Sequence, residues 1–274
     1  MSSFIKAGVI GHPIAHSKSP IIHSHWIEKY GLKGSYDKID IPPDNFKKDI
    51  STLIDQGYVG FNVTVPHKQT IMALCDYIDE TATAIGAVNT VKIIDNKLHG
   101  YNTDAYGFIQ NIKQSVPEFN FTSGAALVLG AGGAARAIVY GLLNQGVPEI
   151  IVTNRTIEKS FDIMGLDNKR IRVVEWDLKE ANLKNVHLVV NTTSLGMKGQ
   201  SPLIFNLSDL PKQAIVNDIV YAPLKTNLLT NAELSGNLTV TGIGMLLHQA
   251  RPAFEKWFGI MPEVDDALIE KVLA

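Results

Sequence analysis

Ala125-Ala126-Leu127-Val128-Leu129-Gly130-Ala131-Gly132-Gly133-Ala134-Ala135-Arg136-Ala137 is the stretch that decides the fold. An apolar strand runs into a glycine turn, and small residues then continue as a helix. Gly130, Gly132 and Ala135 meet the pattern G-x-G-x-x-A. Gly130 permits a tight turn, Gly132 lets backbone approach a pyrophosphate, and Ala135 lets the helix pack close to the sheet with its N-terminus toward the phosphates. The bare pattern also suits a structural glycine turn. The strand before it and the helix after it favour a dinucleotide site.

Outward from this stretch, strands recur at Glu149 to Thr153, His187 to Asn191 and Ala214 to Asp218, with helices between them. That spacing predicts a parallel, doubly wound sheet covered on both faces. At the end of the second strand, Asn154-Arg155-Thr156-Ile157-Glu158-Lys159 lacks the acid that an NAD-selective site places against the ribose hydroxyls. Arg155 can stack on adenine and pair with a 2'-phosphate, Thr156 can donate a hydrogen bond, and Lys159 follows on the next helix. NADP is therefore the expected cofactor. The competing reading is a solvated basic helix start.

From Lys6 to Ile94, β-branched runs (Ala7 to Ile10, Gly60 to Val65, Ala87 to Val91) alternate with helical stretches (Pro20 to Tyr30, Pro43 to Gln56), again an α/β pattern. Pro42-Pro43 and Gly57 mark the start and stop of the second helix. A helix from Thr103 to Ser115 precedes the break at Val116-Pro117, and the chain is expected to change domain along it. After Gly242 a long helix carries Met245, Leu246, Ala250, Phe254, Trp257 and Phe258, and a short one spans Asp265 to Leu273. Residues 1–103 with 243–274 are expected to form one α/β domain, to which the C-terminal helices return, and 104–242 a Rossmann-like one.

Composition narrows the class. The 274 residues are 45% apolar and 19% charged with a formal net charge of -2, which gives no electrostatic reason for a polyanionic partner. Neither a leader, from Met1-Ser2-Ser3 onward, nor a long apolar span is evident, so a cytoplasmic protein with no membrane or nucleic-acid partner is expected. Cys75 has no partner for an intrachain disulfide and reads as a buried structural thiol. His12, His16, His23 and His25 show no metal-ligand spacing, and no metal is expected.

A second constellation lies in Phe61-Asn62-Val63-Thr64-Val65-Pro66-His67-Lys68. Alternation puts Phe61, Val63 and Val65 on one face and Asn62 and Thr64 on the other. Polar groups in a covered sheet need partners, and a cleft holding a hydroxylated ligand would supply them. Lys68 follows the proline turn; Asn89 and Asn102-Thr103-Asp104 add polar side chains, with helix capping the plainer role for Asp104.

At these residues the chain resembles the shikimate dehydrogenase family. The likeness runs nearly end to end: Gly11-His12-Pro13-Ile14-Ala15-His16-Ser17-Lys18-Ser19-Pro20, Asn62 to Lys68, Gly86 to Thr90, Gly100 to Asp104, Gly130 to Ala135, Asn154 to Thr156, Asn191 to Ser194, Asp218 to Tyr221 and Gly244 to Ala250. The resemblance implies that Ser17 and Ser19 bind a substrate carboxylate, while Asn62, Thr64, Asn89, Asp104, Tyr221 and Gln249 line the ring and its hydroxyls. It makes Lys68 and Asp104 the catalytic pair. For the cofactor it implies Gly130, Ala131, Gly132, Gly133 and Ala134, the stretch Asn154, Arg155, Thr156 to Lys159, and Ile219 and Gly242. Thr241 departs from the family, which often has Asp there, and Glu80 matches an acidic position sometimes assigned to the cofactor.

The implied reaction is reversible NADPH-dependent reduction of 3-dehydroshikimate to shikimate in aromatic amino acid biosynthesis, by a monomer or homodimer. Preference for quinate, or for both acids, is the near alternative. A non-catalytic dinucleotide-binding regulator is the distant one, and retention of Lys68 and Asp104 argues against it.

Overall fold

The computed structural model describes residues 4–274; Met1, Ser2 and Ser3 of the N-terminal segment read above lie outside the described residues. The chain divides into two units, Met1–Thr103 with Leu247–Ala274, and Asp104–Leu246, and the described residues form two six-stranded sheets.

The first unit opens with β1 (Ile5–Gly11), α1 (Ser19–Lys29), β2 (Gly34–Asp40), α2 (Phe46–Asp55) and β3 (Gly60–Val63). It continues through β4 (Tyr77–Ile78), α3 (Glu80–Ile85), β5 (Thr90–Ile94) and β6 (Lys97–Tyr101). Its sheet order is β2-β1-β3-β5-β6-β4. The first three strands pair in parallel through helical crossovers, whereas β5 and β6 are antiparallel additions. Phe46, Ile50 and Leu53 of α2 pack with Ile10, Phe61, Val63 and Val91 into one core.

Three local expectations differ from the structure. β3 stops at Val63, so Val65, expected beside Phe61 and Val63, is 70% exposed. The following Pro66 has no N–H for a ladder and turns the chain away. β5 begins at Thr90 rather than Ala87, because α3 ends at a left-handed Gly86 and the Val88 N–H is drawn to the Lys68 carbonyl. Cys75 is only partly buried at the end of a 3-10 turn, although burial, with Asp76 nearby, pushes its thiol up to about 11.

The second unit contains α4 (Asp104–Ser115), β7 (Ala125–Leu129), α5 (Gly133–Asn144), β8 (Ile150–Thr153), α6 (Glu158–Met164), β9 (Ile171–Val174), β10 (Val186–Asn191), β11 (Ile215–Asp218), α7 (Asn227–Leu234) and β12 (Leu238–Val240). All pairs are parallel, in the order β12-β11-β10-β7-β8-β9. Winding therefore reverses between β7 and β10, the switch point at which a doubly wound sheet opens its ligand crevice. Every residue of β7, β8 and β11 is buried, and separate apolar cores cover the two faces.

The chain ends in α8 (Ile243–Phe258) and α9 (Asp266–Leu273), which from Leu247 onward belong to the first unit. There the Trp257 indole donates to the Val91 carbonyl at 3.0 Å, and Trp26 of α1 donates to Glu263 at 3.0 Å. Between them His23 is fully buried, its ring stacked on Tyr36 at 4.0 Å and flanked by Trp26, Phe254 and Trp257.

Burial pushes His23 down to about 3, and burial with the Arg251 charge pushes His248 to about 4, so both imidazoles are neutral in the fold. In the unfolded chain they take up protons near 6.5. The stability this difference confers is complete above that value and drains as pH falls through it toward 4. Each group adds at most about 1.4 kcal/mol of lost stability per pH unit in that window. Urea unfolding from about pH 7 to about pH 5 should show the loss, and His23→Phe should flatten the dependence. A wild-type midpoint that holds constant on acidification would contradict this.

Candidate functional site

In the first unit a run of buried polar side chains crosses β2, β3, the start of β5 and Thr103. Tyr36 Oη donates to Asn62 Oδ1 at 2.6 Å, and Asn62 Nδ2 donates to Thr90 Oγ1 at 3.0 Å and the Asn89 carbonyl at 3.2 Å. Asn89 Oδ1 accepts from Thr90 Oγ1 and from the Thr103 N–H, both at 3.0 Å, while Asn89 Nδ2 donates to Thr103 Oγ1 at 3.0 Å. The single Thr103 Oγ1 hydrogen has two acceptors in reach, Asn89 Oδ1 at 3.2 Å and Gln249 Oε1 of α8 at 3.5 Å. Such groups are costly inside a protein unless paired, and this array pairs them with one another. Gln249 at the end of the array is only partly buried, as are Thr64 and Lys68 in the segment after β3. Mixed amide and hydroxyl groups suit a small hydroxylated ligand.

Lys68 sits on a fixed segment. The preceding His67 is buried, stacks on Phe46 at 4.3 Å and hydrogen-bonds the Ile41 carbonyl through Nε2 at 2.6 Å. The Lys68 carbonyl accepts from Val88 at 2.8 Å. Its backbone is thus held from both sides.

Neither Ser17 nor Ser19 occupies the N-cap position of α1, which falls on Lys18 without a side-chain cap bond. Ser17 Oγ instead accepts from the Ser19 N–H at 3.3 Å. Their hydroxyls suit a carboxylate, and replacing both by alanine should raise the Michaelis constant for the ring acid about tenfold or more, leaving that for NADPH near wild type. A lowered melting temperature with unaltered acid affinity would assign them to helix stability. Asp104 also departs from its capping role: it is the first residue of α4, so the N-cap position belongs to Thr103. As a first-turn acid, Asp104 stabilises the helix by roughly 0.3–1 kcal/mol through the macrodipole.

In the second unit, Gly130 follows β7 at φ +111, a conformation that excludes most side chains, and a Cβ there would lie 2.5 Å from Thr192 Oγ1. Gly132 occupies the N-cap of α5 without a side chain to cap it, so the N–H groups of Gly133, Ala134 and Ala135 have no acceptor within the helix. With the half-buried Ala131, they form a helix start at the switch point of the kind that suits an anion. After β8, Asn154 Nδ2 donates to the Thr156 carbonyl at 2.8 Å, and Arg155, Thr156 and Lys159 are exposed. These residues fit a 2'-phosphorylated dinucleotide: bare N–H groups for the pyrophosphate and cations for the extra phosphate.

Gly242 allows a close backbone approach, since a Cβ there would meet the Ile219 carbonyl oxygen at 2.2 Å. Asp218, buried and raised above its ordinary range by that burial, accepts from Asn191, Thr226 and the Val220 N–H. This fixes the turn leading to Tyr221, which is 38% exposed. At the departure from the family pattern, the Thr241 carbonyl accepts from Asn111 at 2.8 Å, and Glu80 begins α3 in the first unit.

Among the described residues, no group of three His, Cys, Asp or Glu can hold a metal ion, and no helix is long and apolar enough to cross a membrane. Sequence reasoning missed Tyr36 and Thr90 as members of the polar array. Tyr36 left one trace, a lone aromatic in Gly34-Ser35-Tyr36-Asp37-Lys38-Ile39-Asp40, and it is the one buried residue of that strand.

Comparison with known proteins covers both units. Residues 9–91 match the family model described as shikimate dehydrogenase substrate binding domain, 111–220 that described as shikimate / quinate 5-dehydrogenase, and 242–268 that described as shikimate 5'-dehydrogenase C-terminal domain. The chain is 48% identical over 269 residues to the shikimate dehydrogenase (NADP(+)) of Paramagnetospirillum magneticum, covering 98% of each. Its fold is similar to shikimate 5-dehydrogenase from Thermus thermophilus in complex with NADP(H) and shikimate, at TM-score 0.86 and 34% identity over 98% of each chain. It is also similar to quinate dehydrogenase from Corynebacterium glutamicum in complex with NAD, at TM-score 0.92 and 30% identity over 99% of each chain.

Proposed function

Because the chain belongs to the shikimate dehydrogenase family, we propose that it catalyses the reversible NADP-dependent interconversion of 3-dehydroshikimate and shikimate. The first unit holds the ring acid and the second the dinucleotide. The observation that carries the substrate half is the buried array of Asn62, Asn89, Thr90 and Thr103 in the same unit as Lys68. NADP, when bound, supplies the hydride donor or acceptor.

The protein manages the proton. In the reductive direction the Lys68 ammonium donates a hydrogen bond to the carbonyl oxygen as it gains alkoxide character, then transfers its proton to give the alcohol. In the oxidative direction the neutral amine takes that proton back. Asp104 accepts from the amine and from a neighbouring ring hydroxyl, holding both. Ser17 and Ser19 donate to the carboxylate, Thr64, Tyr221 and Gln249 bound the ring, and the N–H groups from Gly130 to Ala134 receive the pyrophosphate. Asn154, Arg155, Thr156 and Lys159 surround the 2'-phosphate, and Ile219 and Gly242 bound the nicotinamide half. This reading places the enzyme in the cytoplasm, as a monomer or homodimer, in the pathway to the aromatic amino acids.

Quinate is the second reading, favoured by the fold likeness to a quinate dehydrogenase. The higher identity to a shikimate dehydrogenase named for NADP(+) favours the first. Product identification separates them: purified enzyme with NADPH should convert 3-dehydroshikimate to shikimate, with 3-dehydroquinate reduced far more slowly. Reduction of 3-dehydroquinate alone would assign it as a quinate dehydrogenase, and reduction of neither would revive the non-catalytic regulator.

A further inference from the structure

We propose that Tyr36 is a positioning residue that fixes the hydrogen-bonding sense of Asn62, so that the substrate pocket accepts a ring hydroxyl there only as a donor. The inference rests on the functional reading above and adds to it a device for specificity. A carboxamide can present its oxygen or its nitrogen to a ligand, and in a flexible site it can turn to suit either. Asn62 has no such choice. Both hydrogens of Nδ2 are taken, by the Asn89 carbonyl at 3.2 Å and Thr90 Oγ1 at 3.0 Å. Turning the amide over would set Oδ1 against the Asn89 carbonyl, acceptor against acceptor. On the other side, Tyr36 Oη donates to Oδ1 at 2.6 Å and uses one of its two lone pairs.

What remains on Asn62 Oδ1 is its second lone pair, beside which the buried His23 ring also lies, and a ring hydroxyl can meet it only by donating. Tyr36 is itself held. It is 6% exposed, and its ring lies flat on His23 at 4.0 Å between centroids with an interplanar angle of 5°. His23 is wedged in turn against Trp26, Phe254 and Trp257. The neighbouring Ser19 hydroxyl interacts with the same phenol, so Tyr36 also links the residue assigned to the carboxylate with the residue assigned to a ring hydroxyl. A buried site built around one hydroxyl rejects an analogue lacking it, because its acceptor is then left unpaired.

The test compares Tyr36→Phe with wild type on shikimate and on a set of shikimate analogues each lacking one ring hydroxyl, with NADP saturating. Wild type should discriminate strongly against one of these analogues. In Tyr36→Phe that ratio of kcat/KM should narrow by about tenfold or more, through KM for shikimate, with kcat and the Michaelis constant for NADP little changed. His23→Phe keeps the stacked plank while removing the ring nitrogens beside Asn62, and should narrow the ratio far less than Tyr36→Phe. An unchanged ratio in Tyr36→Phe, or an equal loss in His23→Phe, would overturn the role of the hydroxyl. Should Tyr36→Phe not fold, nuclear Overhauser contacts of the Asn62 side-chain amide protons in ligand-free wild type decide the matter: strong contacts to Thr90 without equally strong ones to the Tyr36 ring support the fixed sense, and equal contacts to both contradict it. Failure of wild type to oxidise shikimate at all would instead count against the functional reading, which the amide measurement does not depend on.

Discussion

Lys68→Ala should lower turnover by roughly two to four orders of magnitude, the range for losing a general acid or base, with a smaller change in the Michaelis constant for shikimate. Folding should survive, since Lys68 contributes a partly exposed side chain, and its backbone is held by groups that alanine retains: the Val88 N–H on its carbonyl and the buried His67 beside it. Melting curves should therefore stay near wild type while kcat collapses. Asp104→Asn is the companion. Because Asp104 follows the N-cap position rather than filling it, the substitution should cost no more than the roughly 0.3–1 kcal/mol of a first-turn charge. A large fall in turnover with a small fall in melting temperature would then report chemistry. An unchanged turnover number for Lys68→Ala would remove the lysine from the proton path.

Arg155→Ala should raise the Michaelis constant for NADPH about tenfold or more and change that for NADH much less. A charge-assisted hydrogen bond is worth roughly 1.5 to 3 kcal/mol, and the exposure of Arg155 sets the effect near the lower end. The end of β8 carries no carboxylate to accept from a ribose hydroxyl pair, so cofactor choice rests on cations. Turnover at saturation should hold, because the adenine end lies far along the dinucleotide from the hydride. Stacking on adenine would add a modest loss common to both cofactors. Equal losses with NADPH and NADH would show that Arg155 does not read the 2'-phosphate.

Much of this arrangement was legible in the sequence, for identifiable reasons. β7 is continuous apolar sequence because a central parallel strand is covered on both faces, and Gly130 is required by a positive φ, so strand and turn both leave marks. Edge strands leave weaker ones. β9 and β12 have only four and three residues, and Arg172 and Leu238 face solvent, so neither shows a clean period. The polar face of β3 was readable at Asn62, but the alternation extended to Val65 failed where Pro66 ends the strand. Tyr36 lay outside any motif, since its place follows from pairing of β1 with β2 and from packing against His23, contacts that no local pattern encodes. Capping was misread at Asp104 by a single residue, the scale on which helix ends are least legible.

The central claim, that this chain oxidises shikimate with NADP, is tested most directly by initial rates of NADP reduction with shikimate and with quinate at matched concentrations. The account predicts a kcat/KM for shikimate at least about tenfold above that for quinate, the difference expected when a pocket built of paired polar groups meets a ring acid with one hydroxyl too many or misplaced. Equal rates with the two acids, or reduction with quinate alone, would contradict it.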